Sequence, residues 1–469
     1  MKFYLPLAVA LALCSCQDLK EEPLAPPSES LPSDPLINPV ISAESSDSAV
    51  ISDEPVNFDP IAQWWTKFES KELDKLIDDA LKDSSDIKLM RNRVKLAEQE
   101  LASADADKQI KRDLSVSSTY TQYEGSHDKS TQGGAALSWE LDIWDKLSNL
   151  SQAALAEYKA SEADWQATMM TVISDITSNY FQLRQLDELV GYNNEAMEIS
   201  KTLEDYYKVR HEGGIESGEF YRAQAAEGLR LKSNIRELKR RRQLAQNQIA
   251  VLLGKTTSSF KLPPRSLHDT VKPIAMPTKL SANLLERRPD IIAADFRVRS
   301  IYSQKEAARA ARLPEVTVDV LGSASDEGFS LDFTDWAASI SPRIKFPALD
   351  PQTQINIEKA RIELDSAQEK YRQTVIKAVA EVANVMTNMN DRTAQVFIEQ
   401  ERLKNLEISQ NESQLRFDNG LITQLELLNY QQQVLAAKED ILGLETSLLN
   451  DTINLHNALG GTWIKELNK

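Results

Sequence analysis

Between residues 146 and 212, and again between 352 and 419, apolar side chains recur at alternating steps of four and three, with no proline and one glycine, Gly191. That period puts the apolar positions on one helix face. Each stretch therefore predicts a single unbroken helix, roughly 100 Å long at ~1.5 Å rise per residue. The first seam reads Met169, Ile173, Ile176, Tyr180, Leu183, Asp187, Val190, Asn194, Met197. The second, 206 positions later, reads Val375, Val379, Val382, Met386, Met389, Thr393, Val396, Gln400, Leu403. Polar residues interrupt both at the sixth and eighth places. Matching interruptions, and not only matching apolar steps, indicate an internal duplication with coiled-coil-like packing along one seam.

Other landmarks keep nearly the same offset: Trp165 with Tyr371, Asp175 with Glu381, Arg210 with Arg416, Gly214 with Gly420, and Asp86 with Asp290. The duplication divides the body into a first repeat at about 61–262 and a second at about 263–463. A glycine turn follows each long helix, and a return helix is predicted over about 216–254 and 421–459. The second return helix has its own heptad: Leu427, Val434, Ile441, Leu448, Leu455. Shorter helices open the repeats at about 71–110 and 284–313. The latter starts with Arg288-Pro289-Asp290, where proline suits the first turn and aspartate the positive end of the helix dipole.

Between opening and long helix, each repeat changes period from 3.6 to 2. Strands are predicted at about 115–144 and 315–346. Leu137, Trp139, Leu141 and Ile143 alternate with Ser138, Glu140 and Asp142, while their partner strand, about 115–124, alternates poorly; Val316, Val318 and Val320 alternate with Thr317 and Asp319; and Trp336, Ala338, Ile340, Pro342, Ile344 and Phe346 alternate with polar residues. Tracts of about ten residues with one apolar face and terminal aromatics fit transmembrane β-strands. A soluble hairpin packed on a core has the same alternation, so one strand alone does not choose. Four such tracts do not close a barrel, and open sheet edges are forbidden in lipid, so a membrane reading demands oligomerisation. Three copies supply twelve strands, enough to enclose a lumen.

The beginning of the chain favours the membrane. Met1-Lys2 and the apolar run from Leu5 to Leu13 read as an export signal, too short to span a bilayer, ending in Leu13-Cys14-Ser15-Cys16. This is a lipobox, which makes Cys16 the expected lipidation site and 1–16 a lipoprotein signal peptide. Residues 17–60 hold eight prolines, eight serines and ten acidic residues against Lys20 alone, the composition of an extended, disordered tether. Over 469 residues, 54 basic and 71 acidic side chains leave a net charge of −17, which argues against a nucleic-acid partner. The cysteines are Cys14 and Cys16 only, leaving no disulfide framework in the body.

Four groups of residues carry a resemblance: Trp64-Trp65 with Phe68; Trp139-Glu140-Leu141-Asp142-Ile143-Trp144; Leu284-Leu285-Glu286-Arg287-Arg288-Pro289-Asp290-Ile291; and Leu459-Gly460-Gly461-Thr462-Trp463. Over about 61–463 the sequence resembles outer-membrane efflux channels of the TolC family, in the OprM/NodT-type lipoprotein branch. The resemblance implies a mainly helical fold with a small β part: long antiparallel helical hairpins forming a periplasmic α-barrel with a closed inner tip, and four transmembrane strands per protomer in a shared twelve-stranded barrel. It implies a homotrimer anchored to outer-membrane lipid that docks a periplasmic adaptor protein and an inner-membrane pump. Family members narrow the inner tip with acidic rings just after the glycine turns. Glu426 and Glu219 stand there in this chain, and Asn429 occupies a place where a carboxylate is common. Adaptor contact near the same tips implicates Arg210, Gly214, Arg416 and Gly420, residues that also suit ordinary helix C-capping.

Other chemistry finds little support. His127, His211, His268 and His456 show no metal-ligand spacing. Gly254-Lys255-Thr256 fails as a phosphate loop because Ile249 stands where the first glycine is required. The basic run Arg236, Lys239, Arg240, Arg241, Arg242 reads as a solvated helix face. No enzyme, metal or cofactor is expected. A periplasmic adaptor lipoprotein and a structural coiled-coil envelope protein are the rival readings, but the first calls for one hairpin between β-rich domains and the second for no aromatic-ended strands.

Overall fold

A computed structural model describes residues 63–272, 287–327 and 335–460. The expectations for the signal peptide, Cys16, the tether, Leu284 to Glu286 and Gly461-Thr462-Trp463 lie outside them. The body opens with a 3-10 turn, Trp64–Phe68, then α1 (Lys71–Asp83) and α2 (Ser85–Asp107). A hairpin follows, β1 (Lys111–Tyr123) and β2 (Ser126–Leu141), leading into α3 (Lys146–Glu212) and α4 (Gly218–Leu252). After segment 253–272 the order recurs as α5 (Pro289–Ala310), β3 (Glu315–Glu327), β4 (Asp335–Lys345), α6 (Pro351–Asp418) and α7 (Gln424–Ala458). The two long helices, α3 and α6, are continuous over 67 and 68 residues. Each pairs with its return helix, and α5 lies along both α3 and α6, so the second repeat is packed onto the first.

The single opening helix expected over 71–110 is two helices. Ser84 leaves the helical region at φ −54°, ψ 129°, which turns α1 inward. There Leu73, Leu76, Ile77 and Ala80 are buried, whereas α2 buries only Ile87 and Ala97. The break also makes room for another backbone. Gly254, at φ +67°, ends the first return helix so tightly that a Cβ on it would lie 2.6 Å from the Asp83 carbonyl oxygen. Gly460, 206 positions on and at φ +89°, presses in the same way on Arg287, whose carbonyl oxygen a Cβ would meet at 3.1 Å. Each repeat thus closes by setting the end of its return helix against the backbone just before its opening helix, an approach only glycine permits.

That closure explains the Arg-Arg-Pro-Asp string. The Arg288 guanidinium donates to the Ala458 carbonyl at 3.0 Å, to Glu381 at 2.8 Å and to Asp290 at 2.8 Å, tying α5 to the end of α7 and to α6. In the first repeat Ser84 stands at the corresponding place, so no arginine compensates the carboxylates there. Burial, together with the nearby Asp86, pushes the Asp175 carboxyl up.

The largest core sits at mid-height. Trp65, Phe68, Leu73 and Ile77 meet Ile176, Tyr180, Phe181 and Leu183 of α3, Ile249 of α4 with Leu253 just after it, and Leu442, Leu449 and Ile453 of α7. Each such side chain contributes roughly 1.5–3 kcal/mol. A second cluster joins Ile291 to Val375, Val382, Met386, Met389 and Leu455. Both seams then thin toward the hairpin tips. Beyond Leu186, α3 buries only Asn193, Ser200 and Leu203, and beyond Met389, α6 buries only Ser413.

His456, near the end of α7, stacks on Trp64 with ring centroids 4.9 Å apart, and burial pushes its pKa down to about 4. An unfolded chain takes up this proton near pH 6.5. Between those values the unfolded state holds more protons, so stability falls as pH drops from 6.5 toward 4. Melting of the detergent-solubilised protein is expected to show a drop over this window that His456→Gln flattens; equal slopes for both proteins would refute it.

Candidate functional site

The four strands form one antiparallel sheet in chain order, β1-β2-β3-β4. Cross-strand register decides what each face carries. Leu141, Val316 and Ile344 share a row, as do Trp139, Val318 and Pro342, then Leu137, Val320 and Ile340, then Ala135, Gly322 and Ala338, and last Gly133, Ala324 and Trp336. Leu114 and Val116 extend this face onto β1, opposite Ala135 and Gly133. Five rows two residues apart span ~27 Å along the strands. None of it packs on a core: Leu114 is 83% exposed, Trp336 80% and Ile340 72%. The opposite face is hydroxylic and charged, with Ser115 and Ser117 on β1, Ser138 and Glu140 on β2, Thr317 and Asp319 on β3, and Ser341 and Arg343 on β4. Ser138 donates to Asp319 at 2.6 Å across this wet side. Among the described residues both outer strands, β1 and β4, have one unpaired edge.

At the far end of the long helices the two tips share a turn. Ile215 N donates to the Arg210 carbonyl at 2.9 Å and Leu421 N to the Arg416 carbonyl at 2.8 Å, with Gly214 and Gly420 at φ +70° and +71°. These are Schellman closures, so all four residues proposed for docking already have a role in ending helices. The side chains differ. Arg210 pairs with Glu216 at 2.7 Å, and its tip carries Tyr206, Tyr207 and Phe220 in ring contact. In the second tip Glu426 closes a capping box: its carboxylate accepts from Thr423 N at 3.0 Å, and its own N–H donates to the Thr423 hydroxyl at 3.3 Å. Glu426 and Asn429 are exposed on this tip and Glu219 on the other. Among the described residues no hydrogen bond or ion pair joins them within one protomer.

Sequence reasoning missed the polar ties at mid-height. Arg184 is fully buried and donates to Asp187 at 3.0 Å, to the Pro263 carbonyl at 2.7 Å and to Glu72. Asp187 also receives Arg242. The seam's polar interruption is therefore the hub of a buried network. His268 lies between two carboxylates, with Nδ1 2.8 Å from Glu188 and Nε2 2.8 Å from Glu445. Bonds to both push its pKa up to about 10, keeping it an imidazolium. Burial disfavours the Glu188 carboxylate, yet hydrogen bonds from His268, Tyr192 and Ser266 hold its pKa at about 2.

Residues 76–255 and 280–461 match the outer membrane efflux protein family, one stretch in each repeat. The chain belongs to that family. This outer-membrane efflux protein is 26% identical to a probable outer membrane lipoprotein, SilC, of Salmonella typhimurium, over 86% of this chain and 88% of SilC. It is 24% identical to the cation efflux system protein CusC of Escherichia coli K12, over 97% and 98%. Two solved channels share its fold at 21% identity and a TM-score of 0.78: the outer-membrane channel OprN, with 92% of this chain and all of OprN aligned, and Campylobacter jejuni CmeC, with 92% and 96%. The efflux protein is accordingly an outer-membrane channel subunit with a helical part extending into the periplasm.

Proposed function

We propose that three copies of this efflux protein close one twelve-stranded barrel, β4 of each pairing with β1 of the next, and that the resulting tube is the exit duct of a tripartite assembly. The observation that carries this reading is the sheet: an uncovered apolar face with two open edges, which lipid does not tolerate until the edges meet partners. A periplasmic adaptor protein docks at the tips through Arg210, Gly214, Arg416 and Gly420 and their neighbours, and an inner-membrane pump supplies cargo. Cys16 holds the lipid anchor. Glu426, with Asn429 beside it and Glu219 on the other tip, lines the inner aperture, where like charges around an axis repel and favour parting of the tips.

Cargo choice belongs to the pump. Similar chains carry names as unlike as cation efflux, pyoverdine export and toluene efflux, at 23 to 26% identity to this one. The reading requires no cofactor, metal ion or catalytic group.

Planar bilayers test it. Purified protein is expected as a heat-modifiable trimer that forms channels, and Glu426→Gln is expected to change the conductance by removing charge while keeping an acceptor for the Thr423 cap. Unchanged conductance removes Glu426 from the aperture, and a monomer released without detergent overturns the duct.

A further inference from the structure

Helices α3 and α7 belong to different repeats and run antiparallel, joined by a ladder of polar side chains. Ser174 donates to Asn457 at 2.7 Å and Ser178 to Asn450 at 2.7 Å. Toward the tips come Glu188 and Glu445, bridged by His268, and then Asn193, which donates to Glu439 at 2.6 Å and accepts from Asn234 of α4 at 2.8 Å. Among the described residues no further side-chain hydrogen bond joins α3 to α7 below this rung. On the long helices large apolar burial thins at the same level, Leu183, Leu186 and Met389 being the last such side chains apart from Leu203, while the return helices continue to bury Leu231 and Ile235 on α4 and Leu427, Leu428, Val434 and Leu435 on α7.

His268 differs from the other rungs because it lies on neither helix. Its segment, 253–272, is strapped to the first repeat by Lys255 on Asp79 at 2.8 Å, by Ser266 Oγ and Leu267 N on Glu188 at 2.8 and 2.9 Å, and by Lys272 on Glu69 at 2.5 Å. Among the described residues its one hydrogen bond to the second repeat is that from His268 to Glu445. One imidazolium therefore sets the spacing of three chain segments at the lower edge of the rigid middle.

We propose that His268, clamped between Glu188 and Glu445, is the positioning residue for tip opening: it fixes the α3–α7 spacing as a fulcrum below which the two hairpins of a protomer part. This rests on the duct reading, since only a channel with a closing tip has an opening to control. With the clamp intact, separation of the tips is confined to the thin lower third. Without it, the parting spreads upward past Glu188 and the closed state loses its restraint.

Single-channel recording of the full-length trimer tests the assignment. His268→Ala and Glu445→Gln are each expected to raise open-state occupancy several-fold. The double variant should do no more than either, because both remove one tie. Lys255→Ala and Lys272→Ala loosen the same strap on the first repeat only and should leave occupancy at the native level. Glu445→Gln keeps side-chain size and carries the test if His268→Ala fails to assemble. Native occupancy in both clamp variants, or an equal rise in the two lysine variants, overturns the fulcrum. A native protein that forms no channel overturns the duct and the fulcrum together, which separates the two failures.

Discussion

Ile340→Arg is expected to abolish outer-membrane assembly, whereas Ser339→Arg, one residue away, assembles. Ile340 sits in the middle row of the uncovered apolar face, beside Val320 and Leu137, and is 72% exposed. An arginine on the lipid side of a barrel near the bilayer midplane costs about 2–4 kcal/mol. Threefold repetition raises this to ~6–12 kcal/mol, comparable to the whole net stability of an ordinary domain. Ser339 points to the wet side, opposite Leu321, where a guanidinium keeps its water. Outer-membrane fractionation followed by unheated electrophoresis compares the two. Equal trimer yields would show that the sheet's apolar side does not meet lipid.

Arg184→Ala is expected to lower stability by about 3–5 kcal/mol, the usual consequence of leaving a buried charge cluster half paired. Removing it leaves Glu72 with the Tyr180 hydroxyl at 3.0 Å but no cation, strands the Pro263 carbonyl and takes one cation from Asp187, which keeps Arg242. It also takes a guanidinium from the face of Tyr180, 5.0 Å away. Arg184→Met restores volume without charge and should recover only the packing part. Thermal melting of the trimer reads both, and a midpoint within a degree of native for Arg184→Ala would exclude the network from the stabilising core.

The long helices were legible because their signal is repetitive: two matched seams of nine positions and no proline over either stretch. Three strands were legible because register and alternation agree, Val316, Val318 and Val320 falling beside Leu141, Trp139 and Leu137, whereas β1 alternates poorly and begins at Lys111, ahead of the expected start. The break at Ser84 was not, since its reason is the carbonyl of Asp83 meeting Gly254, a contact between residues far apart in the chain. Asp187 and Asn194 stood out only as gaps in an apolar series. That Asp187 gathers Arg184 and Arg242 is a property of three-dimensional neighbours. The clamp at His268 left no local trace at all, because its carboxylates lie 80 and 177 positions away. At the tips the offset of 206 made Arg210 and Arg416 visible as a pair, and it concealed their difference: position 220, corresponding to Glu426, is a phenylalanine.

A sheet whose strands follow chain order has an inheritance attached to it. In the proposed ring of three, β1 and β4 wait for other copies, so one blocked edge in one chain spoils a ring that two sound chains have begun. A cell making equal amounts of sound and edge-blocked polypeptide would, by random mixing, assemble only roughly an eighth of its rings from sound chains throughout. Edge mutations are thus expected to be dominant in a cell that also makes the sound chain.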